Sequence, residues 1–449
     1  MRDLAFIAFL GAFFAMGFKR PFLLVLVYVY IDIVSPQRLT YLLLNTVPVS
    51  LIAVALAVGG WILADDKRDT RVGGRQVLIL LLMLYCGITT LTADFAVEAK
   101  EKWDWVWKAL IFAAFLPLTL RTRLRIEALL LFMILSASSI IIVGGIKTIA
   151  SGGGGYGQLN LMVDNNSGLY EGSTISAVAV AIIPIIIWFM RYGTIFRPDW
   201  RVKGYCLALV FACLLIPVGT STRTGLLCIG LLAILSIRTV RRKALYLVML
   251  AAFGLAAIPF LPSTFTNRMN TIKTYQADES ASTRLAVWQW TIEYAKTHPF
   301  GGGFEAYRGN RIRYDLKTAD GSPLPAGQKV EADKARAYHS AYFEMLGEQG
   351  YFGLALWLSI SLIGILRMEI IRRRYRDPTG AFAWAGPLAT ALQSAHLVYL
   401  LGAAFIAIAF QPFIYMLIGA QIGLDTYLAR KRGEQSFRSM RRPPAPAPA

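Results

Sequence analysis

The sequence predicts an all-α polytopic membrane protein. Three observations support this: long apolar runs, basic residues in every second loop, and one long polar segment. Of the 449 residues, 56% are hydrophobic, which is too apolar for an ordinary water-soluble domain. Many runs can cross about 30 Å of hydrocarbon, where such segments satisfy their backbone hydrogen bonds only as helices. We therefore expect 12 or 13 transmembrane helices.

The apolar runs give the helices in chain order. Their number depends on whether the first two short runs each cross fully. No cleavable signal is expected, because the first run continues through Lys19 and Arg20 into the second. The expected spans are 4–17, 21–34, 41–63, 76–93, 105–120, 126–146, 174–190, 204–219, 224–237, 244–261, 341–366, 384–407 and 409–427.

Basic residues set the orientation of these spans. Loops rich in Lys and Arg are cytoplasmic, and here they are 19–20, 67–75, 121–125, 197–203, 238–243 and 367–376. By alternation, the opposite face receives the segments 35–40, 94–104, 151–173, 220–223 and the long polar loop. The net charge of +19 is thus distributed over membrane-flanking loops. This distribution favours membrane lipids as partners and argues against nucleic acid.

The chain divides into four parts by composition. These are an N-terminal helix bundle at 1–261, a large external loop with short helices at 262–340, C-terminal helices at 341–427, and a tail at 428–449. The tail is basic, rich in Pro and Ala, and expected to be disordered and cytoplasmic. The loop gathers two of the three histidines with many arginines and aromatics, so we expect the chemistry to take place there.

Arg223 stands at the outer start of a span, after Ser221 and Thr222. A guanidinium near lipid is costly unless it has an anionic partner. The alternative is an interfacial arginine whose charged end reaches water. We favour an anion pocket that includes both hydroxyl residues, because free N–H groups at a helix start and a guanidinium both bind phosphate oxygens.

The segment 280–290 predicts a capped amphipathic helix with Arg284 in its first turn. An arginine in this position opposes the helix dipole, and a bound phosphate would supply the missing anion. The alternative is an exposed arginine on a solvated helix. Trp288, on the same helix, is a candidate contact for the diphosphate or the glycan of such a ligand.

The turn after this helix, His298-Pro-Phe-Gly-Gly-Gly-Phe304, permits tight backbone approach to a ligand. His298 itself is more often a local helix-end cap than a catalyst. The charged segment 307–334 is expected to be a flexible lid. The Gly-rich stretch 151–156 is either a mobile gate or, more simply, a linker.

His339 stands just before a helix and should lie at the membrane surface. Imidazole is the side chain best able to take a proton from an alcohol near neutral pH. The alternative is a merely polar loop end, but Arg223 and Arg284 on the same face favour a catalytic role. Arg336 and Tyr338 are further candidate substrate contacts.

Metal and redox chemistry have few candidate residues. His396 lies in an apolar run and is expected to be a packing residue. The same is expected of the four cysteines, which lie in apolar runs without ligand-like spacing: Cys86, Cys206, Cys213 and Cys228. The outer loops contain no Asp-x-Asp pair, whereas a divalent metal would need converging carboxylates. We therefore expect no cofactor and a metal-independent mechanism.

Four motifs occur in a fixed order. They are Ser-Thr-Arg-Thr-Gly at 221–225, Ser-Thr-Arg-Leu-x-x-Trp at 282–288, the His-Pro-Phe turn at 298–304, and His-Ser-Ala-Tyr-Phe-Glu-x-Leu-Gly-Glu-Gln-Gly at 339–350. Together they resemble the O-antigen ligase and polymerase superfamily of the bacterial inner membrane. The chain is most similar to the O-glycosylation ligase branch associated with exosortase systems, and the resemblance covers nearly the whole chain.

This resemblance implies a GT-C-like glycosyltransferase with a periplasmic active site. It would move a glycan from an undecaprenyl diphosphate carrier to the lipid A core sugar, with inversion at the anomeric carbon. Arg223 and Arg284 match the positions that bind the diphosphate, and His339 matches the base or acceptor-orienting residue. Ser340 stands where many relatives carry asparagine, which leaves the orientation of the histidine open.

Three other functions stay open at this stage. A polymerase that joins repeat units and a protein O-oligosaccharyltransferase share the same donor chemistry. A flippase for lipid-linked sugars belongs to a different class and would also need basic residues facing an anionic lipid. The sequence has few ionisable residues in mid-span, which counts against the flippase.

Overall fold

The computed structural model shows a bundle of long helices. It describes residues 2–40, 47–67, 70, 72–151, 168–240, 242–270, 279–312 and 333–440. The α-helices in these ranges are α1 (Arg2–Lys19), α2 (Phe22–Val34), α3 (Pro36–Leu39), α4 (Val49–Ala64), α5 (Gly74–Leu91), α6 (Ala96–Thr119), α7 (Arg123–Ser151), α8 (Gly172–Tyr192), α9 (Trp200–Gly219), α10 (Arg223–Ser236), α11 (Lys243–Ala257), α12 (Ser263–Asn270), α13 (Glu279–Thr297), α14 (Ala341–Arg374), α15 (Ala385–Ala403) and α16 (Pro412–Met440). Two short strands, β1 (Arg311–Ile312) and β2 (Asp333–Lys334), pair antiparallel.

The helices confirm the all-α polytopic membrane class. Within the described ranges, five helices are long and apolar enough to cross a membrane, namely α5, α7, α8, α9 and α14. Four shorter apolar helices accompany them, α2, α4, α10 and α11. The total of 12 or 13 crossings stays a prediction.

Helix α8 forms the centre of the bundle. In its most apolar stretch 78% of the residues are buried inside the protein, and it packs against α15, α9 and α10. The contact with α15 is close, because a Cβ added at Gly402 would lie 2.7 Å from the Cβ of Ala177. A helix that is apolar on all sides belongs in such a position.

Interhelical contacts define two ends of the bundle. At one end, hereafter the basic end, Arg123 donates to the Tyr192 carbonyl across 2.6 Å and Trp188 Nε1 donates to the Trp384 carbonyl across 3.0 Å. The opposite end, where α8, α10 and α14 begin, carries the described residues 258–270, 279–312 and 333–340 and is hereafter the loop end. This grouping agrees with the alternation of basic loops, while the side of the membrane that each end faces stays a prediction.

Several helices are longer than their apolar runs indicate. Helix α6 begins at Ala96, not near 105, so most of the expected loop 94–104 is helical. Residues 96–102 are mostly strong helix formers, and the helix extends beyond its apolar part for that reason. Helix α14 continues past 366 to Arg374, and α16 continues past 427 to Met440, into the region expected to be a disordered tail.

Three segments for which the sequence made predictions lie wholly or largely outside the described residues. The Gly-rich gate or linker falls largely within 152–167, most of the expected lid falls within 313–332, and the tail beyond Met440 is 441–449. Those expectations lie outside the described residues.

The expectation that His396 and the four cysteines pack in the core is confirmed. All four thiols are buried, and His396 is completely buried. His396 Nδ1 lies 3.2 Å from Nε2 of Gln421, whose Oε1 accepts a 2.9 Å hydrogen bond from Arg75. These three residues form a polar contact among α5, α15 and α16.

Candidate functional site

The start of α10 is held by a cluster of three buried hydroxyls. Ser176 Oγ of α8 lies 2.8 Å from Thr220 Oγ1, and Thr222 Oγ1 donates to Ser176 Oγ across 3.0 Å. Thr220 and Thr222 are themselves 3.1 Å apart. Arg223 follows directly as the first residue of α10, so this cluster fixes the point from which its guanidinium extends.

Close helix packing reinforces this position. A Cβ added at Gly225 would lie 2.6 Å from Cβ of Pro217 and 3.1 Å from Cβ of Ser176. Only glycine therefore lets α8, α9 and α10 meet at this point. Ser221 adopts a positive φ of 51° and is buried with its neighbours. The predicted position of Arg223 at the start of a helix is confirmed.

The Pro/Gly turn at 298–303 approaches the chain itself. Gly302 and Gly303 donate their N–H groups to the carbonyls of Gly347 and Glu348 across 3.1 and 3.0 Å, and Tyr351 donates to the Pro299 carbonyl across 2.9 Å. The expectation of tight backbone approach to a ligand is corrected here, because the backbone of α14 occupies that space. His298 stacks on Tyr294 with ring centroids 4.1 Å apart, which agrees with a helix-end contact.

A buried ion cluster ties the first turns of α14 to α6. Lys102 Nζ donates to Glu344 and Glu348 across 2.8 Å each. The remaining carboxylate capacity is also used: Glu344 accepts the Ala409 N–H and Glu348 the Glu305 N–H, both across 3.0 Å. Sequence reasoning missed this cluster, although two glutamates four residues apart share one helix face and were a usable signal.

Helix α13 brings Arg284 towards His339. Trp288 Nε1 donates to the Tyr338 carbonyl across 2.8 Å, and the Trp288 ring stacks on Phe343 with centroids 4.9 Å apart. Arg284 lies four residues before Trp288 and so on the same helix face. It is the sixth described residue of α13, in the second turn, which corrects the expected first-turn position.

His339 is surrounded by charge. It is exposed and has a positive φ of 47°. Partial desolvation lowers the pKa of His339, as does the positive charge of Arg284. Glu171 opposes this shift, and Arg336 adds to it. A lowered pKa favours the neutral imidazole, which is the form that can accept a proton.

Glu171 is a further candidate site residue, which sequence reasoning missed. Its carboxylate caps α8, accepting the N–H groups of Ser173 and Thr174 across 3.0 and 2.6 Å and the hydroxyl of Thr174 across 2.7 Å. Its charge also acts on His339. An acidic residue directly before a helix with Ser and Thr in its first turn is a capping signal, but nothing local indicates the histidine.

The structure therefore brings together three of the predicted site residues, Arg284, Arg336 and His339, with Glu171 as an addition. Arg223 lies at the same end of the bundle, because the start of α10 contacts Ser176 near the start of α8. Of the other candidates, Tyr338 is buried, and Thr222 and Trp288 donate to protein atoms. Their role as substrate contacts stays a prediction. Guanidinium groups beside a neutral imidazole can hold an anion and accept a proton in one place.

The fold defines a polytopic α-helical membrane protein, and a histidine and several arginines form a candidate site at one end of its bundle. Residues 207–358 match the O-antigen ligase family model, and all four sequence motifs fall within this match. This match over part of the chain supports the resemblance to the O-antigen ligase superfamily. Residues 1–194 match a family of unknown function, DUF5935. No curated protein matches the chain.

Proposed function

We propose that this protein is an O-antigen ligase-type glycosyltransferase of the bacterial inner membrane. Its donor is a glycan on undecaprenyl diphosphate, and its acceptor is a hydroxyl of the lipid A core sugar at the periplasmic face. The observation that carries this proposal is the charge environment of His339, which pairs a proton acceptor with Arg284 in the part of the chain that matches the family. A ligase needs both groups, one for each substrate.

The donor would enter with its polyprenyl chain among the apolar helices and its diphosphate at the loop end. Arg284 and Arg223 would bind the diphosphate, because a guanidinium matches phosphate oxygens in charge and geometry. Both Nε atoms are buried and both residues are half-buried, so water screens their positive charge less than at a fully exposed position. Exposed Arg336, beside His339, is the best placed of the remaining candidates to contact the glycan or its phosphate.

Transfer would proceed by direct displacement. The acceptor oxygen forms a bond to the anomeric carbon while the bond from that carbon to the phosphate oxygen breaks. The electron pair of that bond leaves with the diphosphate, and the acceptor proton goes to the imidazole of His339. This displacement inverts the anomeric centre. Charge stabilisation by the arginines and positioning of the two substrates lower the barrier, so no divalent metal is required.

The test is glycan transfer by the full-length purified protein in the presence of a chelator. Wild type should transfer the glycan from undecaprenyl diphosphate to lipid A core. His339→Ala should reduce transfer by about 100- to 10,000-fold, the usual contribution of a base. His298→Ala is a matched control, because this exposed histidine of the same loop contacts Thr297 and Tyr294 at a helix end and should transfer normally.

The choice of acceptor separates the related functions. If lipid A core is not glycosylated, donor alone tests for polymerisation, and a protein acceptor tests for O-oligosaccharyl transfer. Near-normal transfer by His339→Ala would refute the role of the histidine as base. The absence of transfer to every acceptor would overturn the transferase proposal and favour a flippase.

A further inference from the structure

A charged cleft lies at the basic end, opposite the site already described. Its volume is about 330 Å³, and it is formed where α4, α6, α7 and α16 meet. Its lining residues are Asp65, Asp66, Arg121, Thr122, Arg125, Arg430 and Lys431. The proposed transferase reaction uses none of them.

The frame of the cleft is preorganised by hydrogen bonds. Arg125 binds Asp65 through two nitrogens, across 2.6 and 2.9 Å, and also donates to the Thr119 carbonyl. Arg430 donates to the Leu120 carbonyl across 3.2 Å. The guanidinium groups of Arg125 and Arg430 are thus held by backbone carbonyls at the junction of α6 and α7.

The lining carries excess positive charge. It contains four basic and two acidic side chains, a net charge of two positive units. Asp66 lies 3.4 Å from Arg121, but its side chain is 63% exposed, so this pair is weak and open to competition. An anion that enters the cleft meets a positive potential that the two carboxylates reduce but do not cancel.

Apolar surface borders the cleft directly. The last turn of α4 exposes Ile62 and Leu63, the latter 87% exposed, two residues before Asp65. The Arg125 guanidinium lies 5.1 Å from the centre of the Phe22 ring. A ligand that fits both surfaces has an anionic head and an apolar tail.

We propose that this cleft binds the phosphate headgroup of an anionic phospholipid from the membrane leaflet that meets the basic end, with an acyl chain against the exposed end of α4. Basic pockets between transmembrane helices bind such headgroups. A volume of this size holds a headgroup but not a whole lipid. The binding therefore anchors the junction of α4, α6, α7 and α16 to the bilayer.

The experiment is native mass spectrometry of the full-length protein in detergent, titrated in parallel with phosphatidylglycerol, phosphatidylcholine and inorganic phosphate. Wild type should retain phosphatidylglycerol in preference to phosphatidylcholine. Arg430→Ala with Lys431→Ala should weaken this retention by about fivefold for each charge removed, the usual effect of one basic residue near an anionic lipid. Arg432→Ala is the matched control, because Arg432 contacts the Tyr375 hydroxyl and does not line the cleft.

Asp66→Asn tests the same proposal with the opposite sign. It removes a negative charge from the lining, so phosphatidylglycerol should bind more tightly. Poor folding would weaken lipid binding in any variant. Tighter binding by Asp66→Asn therefore supports the proposal even if the double variant Arg430→Ala with Lys431→Ala folds poorly. Equal retention of phosphatidylcholine, equal losses in Arg432→Ala, or binding of inorganic phosphate without preference for the lipid would each overturn the proposal.

Discussion

The indole Nε1 of Trp288 donates a 2.8 Å hydrogen bond to the carbonyl oxygen of Tyr338, the residue directly before His339. This contact helps to join the helix that carries Arg284 to the segment that carries the histidine. Two groups with separate tasks in the proposed reaction, one for the leaving diphosphate and one for the acceptor proton, are thus held at a fixed separation. Such positioning is a large part of what an enzyme contributes when the donor is already activated.

Trp288→Phe should lower the transfer rate by misplacing His339. The variant keeps an aromatic ring against Phe343 but removes the N–H donor to Tyr338. A hydrogen bond of this kind contributes about 0.5–1.5 kcal/mol, which corresponds to a roughly 2- to 12-fold decrease in kcat. KM for the donor should stay near its wild-type value, because Arg223 and Arg284 are retained. Steady-state kinetics with purified protein measure both.

Trp290→Phe is the matched control for that variant. Trp290 lies on the same helix but stacks on Tyr294, with ring centroids 4.8 Å apart, and should give nearly normal kcat. Equal losses in both variants would mean that the helix as a whole is disturbed, and would contradict a specific role for the Trp288 contact.

Removing either of two charges near His339 should shift the pH profile of transfer, and the two shifts should have opposite directions. The base must be neutral, so kcat/KM falls as the pH drops through the pKa of His339. Glu171 raises this pKa and Arg336 lowers it. Glu171→Gln should therefore move the acidic limb of the profile to lower pH, and Arg336→Ala should move it to higher pH.

Opposite shifts would distinguish an electrostatic role of Glu171 from its capping of α8. Loss of the cap alone would reduce activity at all pH values without moving the limb. Displacement of the limb in the same direction by both variants would rule out His339 as the titrating group.

Lys102→Met should destabilise the protein strongly. The substitution keeps most of the side-chain volume but leaves two buried carboxylates, Glu344 and Glu348, without their shared cation. Removing one partner of a buried ion pair costs about 3–5 kcal/mol. Thermal unfolding in detergent should show a clear decrease in Tm. Adding Glu348→Gln should recover part of it, because one uncompensated charge is then removed.

Lys100→Met provides the reference for this comparison, since Lys100 is exposed two residues earlier on α6. It should unfold at the wild-type temperature. A Lys102→Met protein as stable as this reference would show that the cluster contributes little to folding.

The site residues that the sequence predicted share a local signal. Arg223, Arg284 and His339 each stand near the boundary between a polar segment and a helix, where a charged group is unusual and therefore noticeable. Hydropathy and basic loops then placed all three at one end of the bundle. The composition of short segments was enough for this part of the site.

Glu171 and Lys102 could not be predicted in the same way, because their partners are distant in the chain. Lys102 and Glu344 are 242 residues apart, and only the packing of α6 against the start of α14 reveals the pair. Glu171 looks like an ordinary helix cap until α8 is placed beside His339. Helix length was missed for a different reason: the charged first turns of α6 consist mostly of strong helix formers, and hydropathy does not represent helix propensity.

Gly350→Ala should disrupt the docking of the Pro/Gly turn onto α14, and transfer with it. Gly350 has φ 63° and ψ −166°, a conformation nearly exclusive to glycine that costs other residues about 1–3 kcal/mol. A Cβ there would lie 2.2 Å from the Pro299 carbonyl oxygen and 2.5 Å from the Gly301 nitrogen, so the turn must also move. Because this turn packs on the helix that follows His339, Tm and transfer rate should fall together.

The matched control is Gly230→Ala, in α10, where nothing lies within 4 Å of the added Cβ. This variant should be neutral or slightly stabilising. Normal Tm and transfer in Gly350→Ala would show that the turn is not required to hold the start of α14 in place.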